Sequence, residues 1–267
     1  MTSTEHIKLA HEHGFTQEIA GAPVFIAEDG KDEEANIRIN EKFVKIAKVA
    51  PFFSSIDTIV GIAHFKGHIM TGFGGALKNI GMGCATRKGK LAQHSDISPN
   101  IIIKTCTGCG ACVEACPVKA ITLINKKAKI DGKICIGCAS CIAACKFNSV
   151  DVDWESGGGK IQEKMAEYAK AALKGKEKKC AFLNFATKIT AECDCLAKDD
   201  PKISPDVGIF AANDPVAIDK AALDAVVKKC GRDVFRDAHP RYDSLKQLKH
   251  ASEIGIGCLE YELIDLS

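Results

Sequence analysis

The order of hydrophobic and polar positions along the chain predicts strands that alternate with helices. Residues 37–49 (IRINEKFVKIAKV) alternate between apolar and polar side chains, which predicts two strands, either a hairpin or two edge strands. Residues 57–65 (DTIVGIAHF) form an apolar run that predicts a buried strand, whose C-terminal end meets a polar cluster. Shorter apolar runs predict strands at residues 23–27, 180–187 and 206–211.

Helices are predicted where apolar residues recur at helical spacing between capping residues. Residues 4–13 predict a short helix, and residues 160–175 predict an amphipathic helix that ends at a glycine. Residues 213–231 predict the clearest helix, with an Asn or Asp cap, a proline in the first turn, two lysines in the last turn and a glycine after it. Together these elements predict an α/β fold with a mixed, largely parallel sheet.

The composition is that of a globular protein without a membrane or nucleic-acid surface. The 267 residues are 46% hydrophobic and 26% charged, and the formal net charge is +2. This balance gives no global attraction for nucleic acid or anionic lipid, and no apolar run approaches the length of a membrane span. The polar N-terminus, MTSTEHIKLAHEHG, lacks the pattern of a signal peptide. We therefore expect a cytoplasmic protein.

The chain contains fourteen cysteines, which changes this picture. In a secreted chain they would suggest disulfides, whereas in a reducing cytosol short fixed spacings indicate metal ligands. Residues 106–117 (CTGCGACVEACP) and 135–146 (CIGCASCIAACK) both follow C-x2-C-x2-C-x3-C, and they form a repeat of 29 residues. The repeat extends into strand-like tails at residues 120–123 and 149–152.

The spacing predicts two [4Fe-4S] clusters. Three closely spaced cysteines can bind three corners of one cubane, while the fourth starts a short helix directed towards the other cluster. Small residues between the ligands leave room for backbone amides to approach the sulfides. The first cluster is assigned to Cys106, Cys109, Cys112 and Cys145, and the second to Cys135, Cys138, Cys141 and Cys116.

Residues 98–153 resemble the bacterial two-cluster [4Fe-4S] ferredoxins. Pro117 completes the first run as it does in those proteins, whereas Lys146 stands at the matching place in the second run. A positive charge beside a ligand should favour the reduced cluster and raise its reduction potential. The alternative metal is zinc, but zinc takes four ligands in a tetrahedron and does not explain eight regularly repeated cysteines.

The repeat also predicts how the chain is divided. We expect a ferredoxin-like α+β insert at residues 98–153 within a discontinuous α/β scaffold of residues 1–97 and 154–267. The glycines at 157–159 are expected to act as a hinge that returns the chain to the scaffold.

A second group of candidate residues follows the apolar run at 57–65. Residues 64–83 read HFKGHIMTGFGGALKNIGMG, in which two histidines precede a glycine-rich turn and a predicted helix start. Such a turn exposes backbone amides that suit an anionic group, although it is neither a Walker loop nor a dinucleotide fingerprint; the alternative is a tight strand-to-helix turn. The candidate catalytic residues are His64, His68 and Lys78.

Cys193 and Cys195 form a C-x-C pair outside the repeat. One interpretation is a site for a further metal ion or a substrate, and another is packing without chemistry. A disulfide is less favoured, because a single intervening residue strains it. The candidate partners at a metal site are His64, His68 and His94, and the cysteines predicted to lie in the core are Cys84, Cys180, Cys230 and Cys258.

Four blocks together resemble the uncharacterised iron–sulfur centre proteins of domain-of-unknown-function family 362. The blocks are residues 64–95, the cysteine repeat, residues 193–210 (CDCLAKDDPKISPDVGIF) and residues 213–224 (NDPVAIDKAALD). The resemblance implies an α/β scaffold with an inserted two-cluster ferredoxin, anaerobic or redox-linked metabolism, and no settled reaction. It also implies a further α/β stretch before the first residue here, so that either this is a short version or a partner chain completes the scaffold.

These observations lead to the expectation of a low-potential electron-transfer protein. Its insert would relay electrons between a redox partner protein and a site on the scaffold, as an oxidoreductase or a subunit of one. Two alternatives remain open: a pure electron carrier or docking subunit without a substrate, and an iron–sulfur assembly protein that holds iron on Cys193 and Cys195. The chain could act as a homo-oligomer or with a partner chain.

Overall fold

The computed structural model describes residues 3–27, 33–94, 99–116, 118–132, 134–135, 140–151, 160–194 and 200–266. The helices are α1 Ser3–Glu12, α2 Gln17–Ala20, α3 Pro51–Ser55, α4 Ala76–Gly83, α5 Arg87–His94, α6 Ala111–Glu114, α7 Ser140–Ala144, α8 Ile161–Leu173, α9 Pro215–Cys230, α10 Val234–Ala238 and α11 Leu245–Glu253. The strands are β1 Ala35–Arg38, β2 Ile46–Val49, β3 Ile59–His64, β4 Lys66–His68, β5 Gly72–Gly74, β6 Asn100–Ile101, β7 Ile121–Ile124, β8 Lys127–Ile130, β9 Val150–Asp151, β10 Cys180–Ala186 and β11 Gly208–Ala212.

A mixed three-stranded sheet lies at the centre of the scaffold, in the order β11–β10–β3. Strand β10 runs parallel to β3, with Phe182 opposite Gly61, and antiparallel to β11, with Phe182 opposite Ala212. The α/β class with a mixed sheet is therefore confirmed. One of the two pairings is antiparallel, and the described residues between β10 and β11, 187–194 and 200–207, contain no crossover helix of the kind that joins a parallel pair.

Helices cover one face of this sheet. Helix α4 packs on β3, helix α9 packs on β10 and β11, and helix α8 packs on α4. Strand β3 consequently alternates, with Ile59 and Ala63 buried while Val60 and Ile62 are 59% and 64% exposed. The strand at 57–65 is confirmed, but the prediction that it is a buried strand holds for one face only, because the described helices lie on one side of the sheet.

The termini of the longer helices form as the sequence predicts. Helix α9 begins at Pro215, its Asp214 cap accepts hydrogen bonds from the amides of Val216 and Ala217, and Gly231 ends it with φ of 69°. Helix α8 is followed by Gly175 with φ of 79°, a value that glycine adopts without strain. No helix in the described ranges is long and apolar enough to cross a membrane.

The shorter predictions have mixed outcomes. Strands β1 and β2 pair antiparallel, which confirms the pair at 37–49, and helix α1 confirms the helix at 4–13. The strand predicted at 23–27 is wrong, since those residues have no regular structure and Phe25 is exposed. Without an ordered neighbouring strand to pair with, an apolar run alone does not form a strand.

The cysteines predicted to lie in the core do not all do so. Cys84 and Cys180 are buried, and Cys230 is half-buried against the same core. Cys258 is exposed, so its predicted core position is wrong. It lies beyond α11, in a C-terminal segment without regular structure that runs over the surface.

The cysteine repeat forms its own small set of elements. Strands β6 and β9 pair antiparallel, β7 and β8 form a hairpin, and the short helices α6 and α7 pack on each other. These elements share a hydrophobic cluster separate from the main core, and it includes Cys106, Cys112 and Cys141. The predicted domain boundaries at 97–98 and 153–154 stay a prediction, and the proposed hinge at 157–159 lies outside the described residues.

Candidate functional site

The two cysteine runs repeat in their backbone hydrogen bonds as well as in their spacing. The Ala120 amide donates to the Cys116 sulfur at 3.2 Å, and at the equivalent place 29 residues later the Ser149 amide donates to the Cys145 sulfur at 3.2 Å. The Cys116 and Cys145 amides donate in turn to the carbonyls of residues 113 and 142, both at 3.2 Å. The two cysteine runs therefore share the same local backbone structure, and we refer to this as the internal two-fold repeat.

One pocket of about 330 Å³ brings cysteines of both runs together. Its walls include Cys106, Cys109 and Cys112 from the first run and Cys145 from the second. Burial raises the pKa of the Cys112 thiol, and the neighbouring sulfurs of the other three cysteines raise it further. These are the four cysteines assigned above to the first cluster.

Backbone groups hold this pocket in shape. The Ala128 amide donates to the Cys106 sulfur at 3.5 Å, and the Lys127 ammonium donates to the Cys106 carbonyl. Gly108 has φ of 72°, and a Cβ there would lie 2.2 Å from the Lys126 carbonyl oxygen, so the loop between the first two ligands needs glycine. Burial alone would raise the pKa of Cys145, but amide donors, Ser149 first among them, outweigh it and lower that pKa.

The second set of cysteines is described only in part. Cys116 and Cys135 are half-buried and Cys141 is buried, whereas Cys138 lies outside the described residues. Within the described ranges, no three or more His, Cys, Asp or Glu side chains lie close enough to hold a single metal ion. The four cysteines around the first pocket fit a larger group, because each thiolate of a [4Fe-4S] cluster binds a different iron.

On the scaffold, the glycine turn leads directly into helix α4. The amides of Ala76 and Leu77, at the start of that helix, donate to the Asp219 carboxylate at 2.7 and 3.0 Å. A Cβ at Gly75 would lie 2.2 Å from the same carboxylate. Of the two interpretations of the turn at 72–75, the structure favours the tight strand-to-helix turn, because the protein's own carboxylate occupies these amides.

Asp219 is fully buried and also accepts a hydrogen bond from the Asn184 side chain at 2.7 Å. Burial raises the pKa of this carboxyl to about 6, although the three donors act in the opposite direction. Asp219 thus ties helix α9 to the start of α4 and to strand β10.

His64, at the end of β3, lies between two acceptors. Its Nδ1 is 2.8 Å from the Asp194 carboxylate and its Nε2 is 2.9 Å from the Thr187 carbonyl oxygen. The ammonium of Lys66 also lies 3.4 Å from the Asp194 carboxylate. Burial raises the pKa of Asp194, but the His64 hydrogen bond and the Lys66 charge outweigh it and leave that pKa below its usual value.

His68 is buried, with 5% of its surface exposed. Its Nδ1 accepts a hydrogen bond from the Met70 amide at 3.1 Å, which places the proton of the neutral ring on Nε2. Burial lowers its pKa to about 2, and the charges of Lys78 and Lys66 act in the same direction. Burial also lowers the pKa of His94, again with a contribution from Lys78. Both pKa shifts favour the neutral imidazole.

Lys78, in the first turns of α4, influences both histidines through its charge and also contacts Cys193. Its ammonium donates to the Cys193 sulfur at 3.0 Å, and that cysteine is 5% exposed. Cys193 lines a second pocket, of about 310 Å³, together with His64 and Asp194. The structure therefore brings the candidates His64 and Cys193 to one pocket and places Lys78 beside them, while Cys195 lies outside the described residues.

Sequence reasoning missed several residues of this site. Asp194 lies between Cys193 and Cys195, and Lys66 follows the end of β3. Both are sequence neighbours of candidate residues, but neither was predicted as a site residue. Asp219 gave a weaker signal, as one acid within the predicted helix at 213–231. The metal-site interpretation of Cys193, Cys195, His64, His68 and His94 stays a prediction, because Cys195 lies outside the described residues; among those residues, no three or more His, Cys, Asp or Glu side chains could hold an ion.

A comparison with curated proteins found no match. A family model described as Domain of unknown function (DUF362) matches residues 1–224, which is most of the 267-residue chain. This match agrees with the family that the four sequence blocks indicated. The chain belongs to the DUF362 family.

Proposed function

We propose that this protein transfers electrons at low potential through two [4Fe-4S] clusters. The observation that carries the proposal is the pocket in which Cys106, Cys109 and Cys112 meet Cys145, a residue 33 positions beyond the last of them. The expected cross-ligation of two-cluster ferredoxins requires this juxtaposition, whereas two independent C-x2-C sites do not. The internal two-fold repeat extends the same arrangement to the second set: Cys135, Cys138, Cys141 and Cys116.

The residues around the first pocket are suited to a reduced, more negative group. When bound, a [4Fe-4S] cluster accepts and releases single electrons. Amide donors reach the sulfurs of Cys106 and Cys145, and such hydrogen bonds stabilise added negative charge. Lys146 is exposed beside Cys145, where its charge acts in the same direction.

In the second part of the proposal, the cysteine-rich insert relays electrons between an external redox partner protein and a site on the scaffold. The pocket at His64 and Cys193 is the candidate for that site. A scaffold this large exceeds what an electron carrier needs, which favours an oxidoreductase or a subunit of one. The assembly role gains no support, because no group of described residues that includes Cys193 could hold an iron ion, and Cys195 lies outside those residues.

Iron and acid-labile sulfide in the anaerobically purified full chain provide the test, together with the EPR spectrum of the reduced protein. We expect about eight irons per chain, which is four for each cluster. Fewer than about two irons, or zinc in their place, would contradict the proposal.

Pairs of variants test which cysteines share a cluster. Cys109→Ser and Cys145→Ser should each cost up to about four irons, and the double variant should cost no more, because both ligands belong to one cluster. Cys116→Ser combined with Cys145→Ser should lose about eight. Cys258→Ser, at an exposed cysteine, serves as the control and should keep full iron. Additive losses for the first pair would show that the cross-ligation is wrong.

A further inference from the structure

The pocket at the end of β3 combines one sulfur with several charged groups. It is lined by His64, Lys188, Thr190, Glu192, Cys193, Asp194 and Asp200. Glu192 has a buried carboxylate oxygen, Oε2, that has no hydrogen-bond partner among the described residues. A buried acceptor without a donor is unfavourable, so the pocket is suited to a ligand whose bound form carries a donor such as a hydroxyl group.

The contact between Lys78 and Cys193 favours the ionised form of the sulfur. A neutral thiol is a weak acceptor, whereas a thiolate beside an ammonium forms a charge-assisted hydrogen bond. The distance of 3.0 Å from Lys78 Nζ to Cys193 Sγ is short for a hydrogen bond to sulfur. The Lys66 ammonium lies close by, at 3.4 Å from the neighbouring Asp194 carboxylate. A cysteine whose sulfur lies beside an ammonium is more readily ionised and therefore more reactive.

We propose that Cys193 is a nucleophilic thiolate held by Lys78, and that its pocket takes small uncharged carbonyl compounds. Among the lining residues three carboxylates, those of Glu192, Asp194 and Asp200, outnumber the single ammonium of Lys188, so the lining disfavours an anionic ligand. The Lys78 ammonium has three protons and donates one of them to the sulfur, so another can stabilise an oxygen that becomes negative.

The proposed step is a reversible addition. A lone pair of the Cys193 sulfur forms a bond to the carbonyl carbon, the π electrons of the carbonyl move to its oxygen, and that oxygen takes a proton from water to give a hemithioacetal. No oxidant or reductant takes part, and the step is independent of the proposed clusters.

Alkylation of the full chain, purified anaerobically, measures the reactivity of the thiolate. Iodoacetamide is the uncharged probe: the sulfur forms a bond to carbon, the carbon–iodine bond breaks and iodide leaves. Mass spectrometry of the tryptic peptide 189–198 (ITAECDCLAK), with fragmentation, separates Cys193 from Cys195. Cys258, which is exposed, provides the reference rate within the same molecule.

At pH 7 Cys193 should react about tenfold faster than Cys258 despite its burial, because an ordinary thiol is only a few per cent ionised. Lys78→Met should slow Cys193 by about tenfold and leave Cys258 unchanged, whereas Lys78→Arg, which keeps the charge, should stay within about threefold of the native rate. Lys220→Met is the matched control at another partly buried lysine and should change nothing.

The charge of the probe tests the ligand class. Relative to iodoacetamide, anionic iodoacetate should be disfavoured at Cys193 by about fivefold more than at the uncharged reference thiol N-acetylcysteine amide. Cys84 is buried in the core, so its labelling would reveal any variant that unfolds. If Lys78→Met unfolds, its rate is set aside, and the labelling rates of Cys193 in the native protein and in Lys78→Arg test the proposal. The proposal is overturned by a native Cys193 no faster than Cys258, by labelling at Cys195 instead, or by a folded Lys78→Met variant with the native rate.

Discussion

Replacing Asp219 with alanine should lower the free energy of unfolding by about 3 kcal/mol at pH 7. The carboxylate is fully buried and accepts from the Ala76 and Leu77 amides and from the Asn184 side chain. Alanine leaves three buried donors without an acceptor, at roughly 1 kcal/mol each. Two of these donors belong to the first turn of α4, so the variant also removes the cap of that helix.

Urea unfolding of the anaerobic protein, followed by circular dichroism at 222 nm, measures this loss through the helices of the scaffold. Asp224→Ala is the matched control on the same helix, because Asp224 lies at the surface and pairs with Lys220. The control should change the free energy of unfolding by less than about 1 kcal/mol. If the two variants lost the same amount, the role given to Asp219 would be refuted.

The pH dependence gives an independent check on the same residue. Burial raises the pKa of Asp219 to about 6, above the ordinary value near 3.8. Between these values the folded state holds a proton that the unfolded state has lost, so the stability that this extra proton supplies is greatest below about pH 4 and is lost as the pH rises through 6. Compared with Asp219→Asn, which does not titrate, the native advantage should shrink by about 2 kcal/mol from pH 4 to 7. An advantage that grew over that range would contradict this assignment.

Two further predictions concern buried groups. Burial lowers the pKa of His68 to about 2, so the unfolded state gains a proton below about pH 6.5 that the folded state does not. In urea unfolding, the free energy of unfolding of the native protein should therefore fall by about 2 kcal/mol from pH 7 to 5 relative to that of His68→Gln. The same pH dependence in both proteins would refute this prediction. The buried Glu167 accepts from the amides of residues 43 and 44 and from His250, so Glu167→Gln should lose about 2 kcal/mol in the same assay, while the exposed Glu253→Gln loses almost nothing.

The elements that the sequence predicted correctly depend on local patterns. Helix α9 has its cap, its proline and its terminal glycine within one stretch, and the β1–β2 pair shows its alternation within thirteen residues. The repeat and its spacing also predicted that Cys145 lies close to the first cysteine run. In each case the residues that determine the structure are close in sequence or related by a regular period.

The scaffold site depends on contacts that no local pattern encodes. Asp219 reaches the Ala76 amide across 143 residues, and His64 meets Asp194 across 130. A glycine turn before a helix looks the same whether an external anion or an internal carboxylate satisfies its amides, so the sequence left both interpretations open. Only the position of α9 against α4 decides between them.

The occupied helix terminus changes what the scaffold pocket can bind. With Asp219 on the Ala76 and Leu77 amides, the positive end of α4 is neutralised internally and does not attract a ligand's negative charge. The charges near the pocket are then side-chain charges: those of its lining residues, together with Lys66 paired with Asp194 and Lys78 bonded to the Cys193 sulfur. A neutral Cys193 would leave the partly buried Lys78 ammonium without a counter-charge at its hydrogen-bonded neighbour, which is costly away from water. Asp219 therefore occupies the amides of Ala76 and Leu77, and the next residue, Lys78, directs its charge to the Cys193 sulfur, which favours the proposed thiolate.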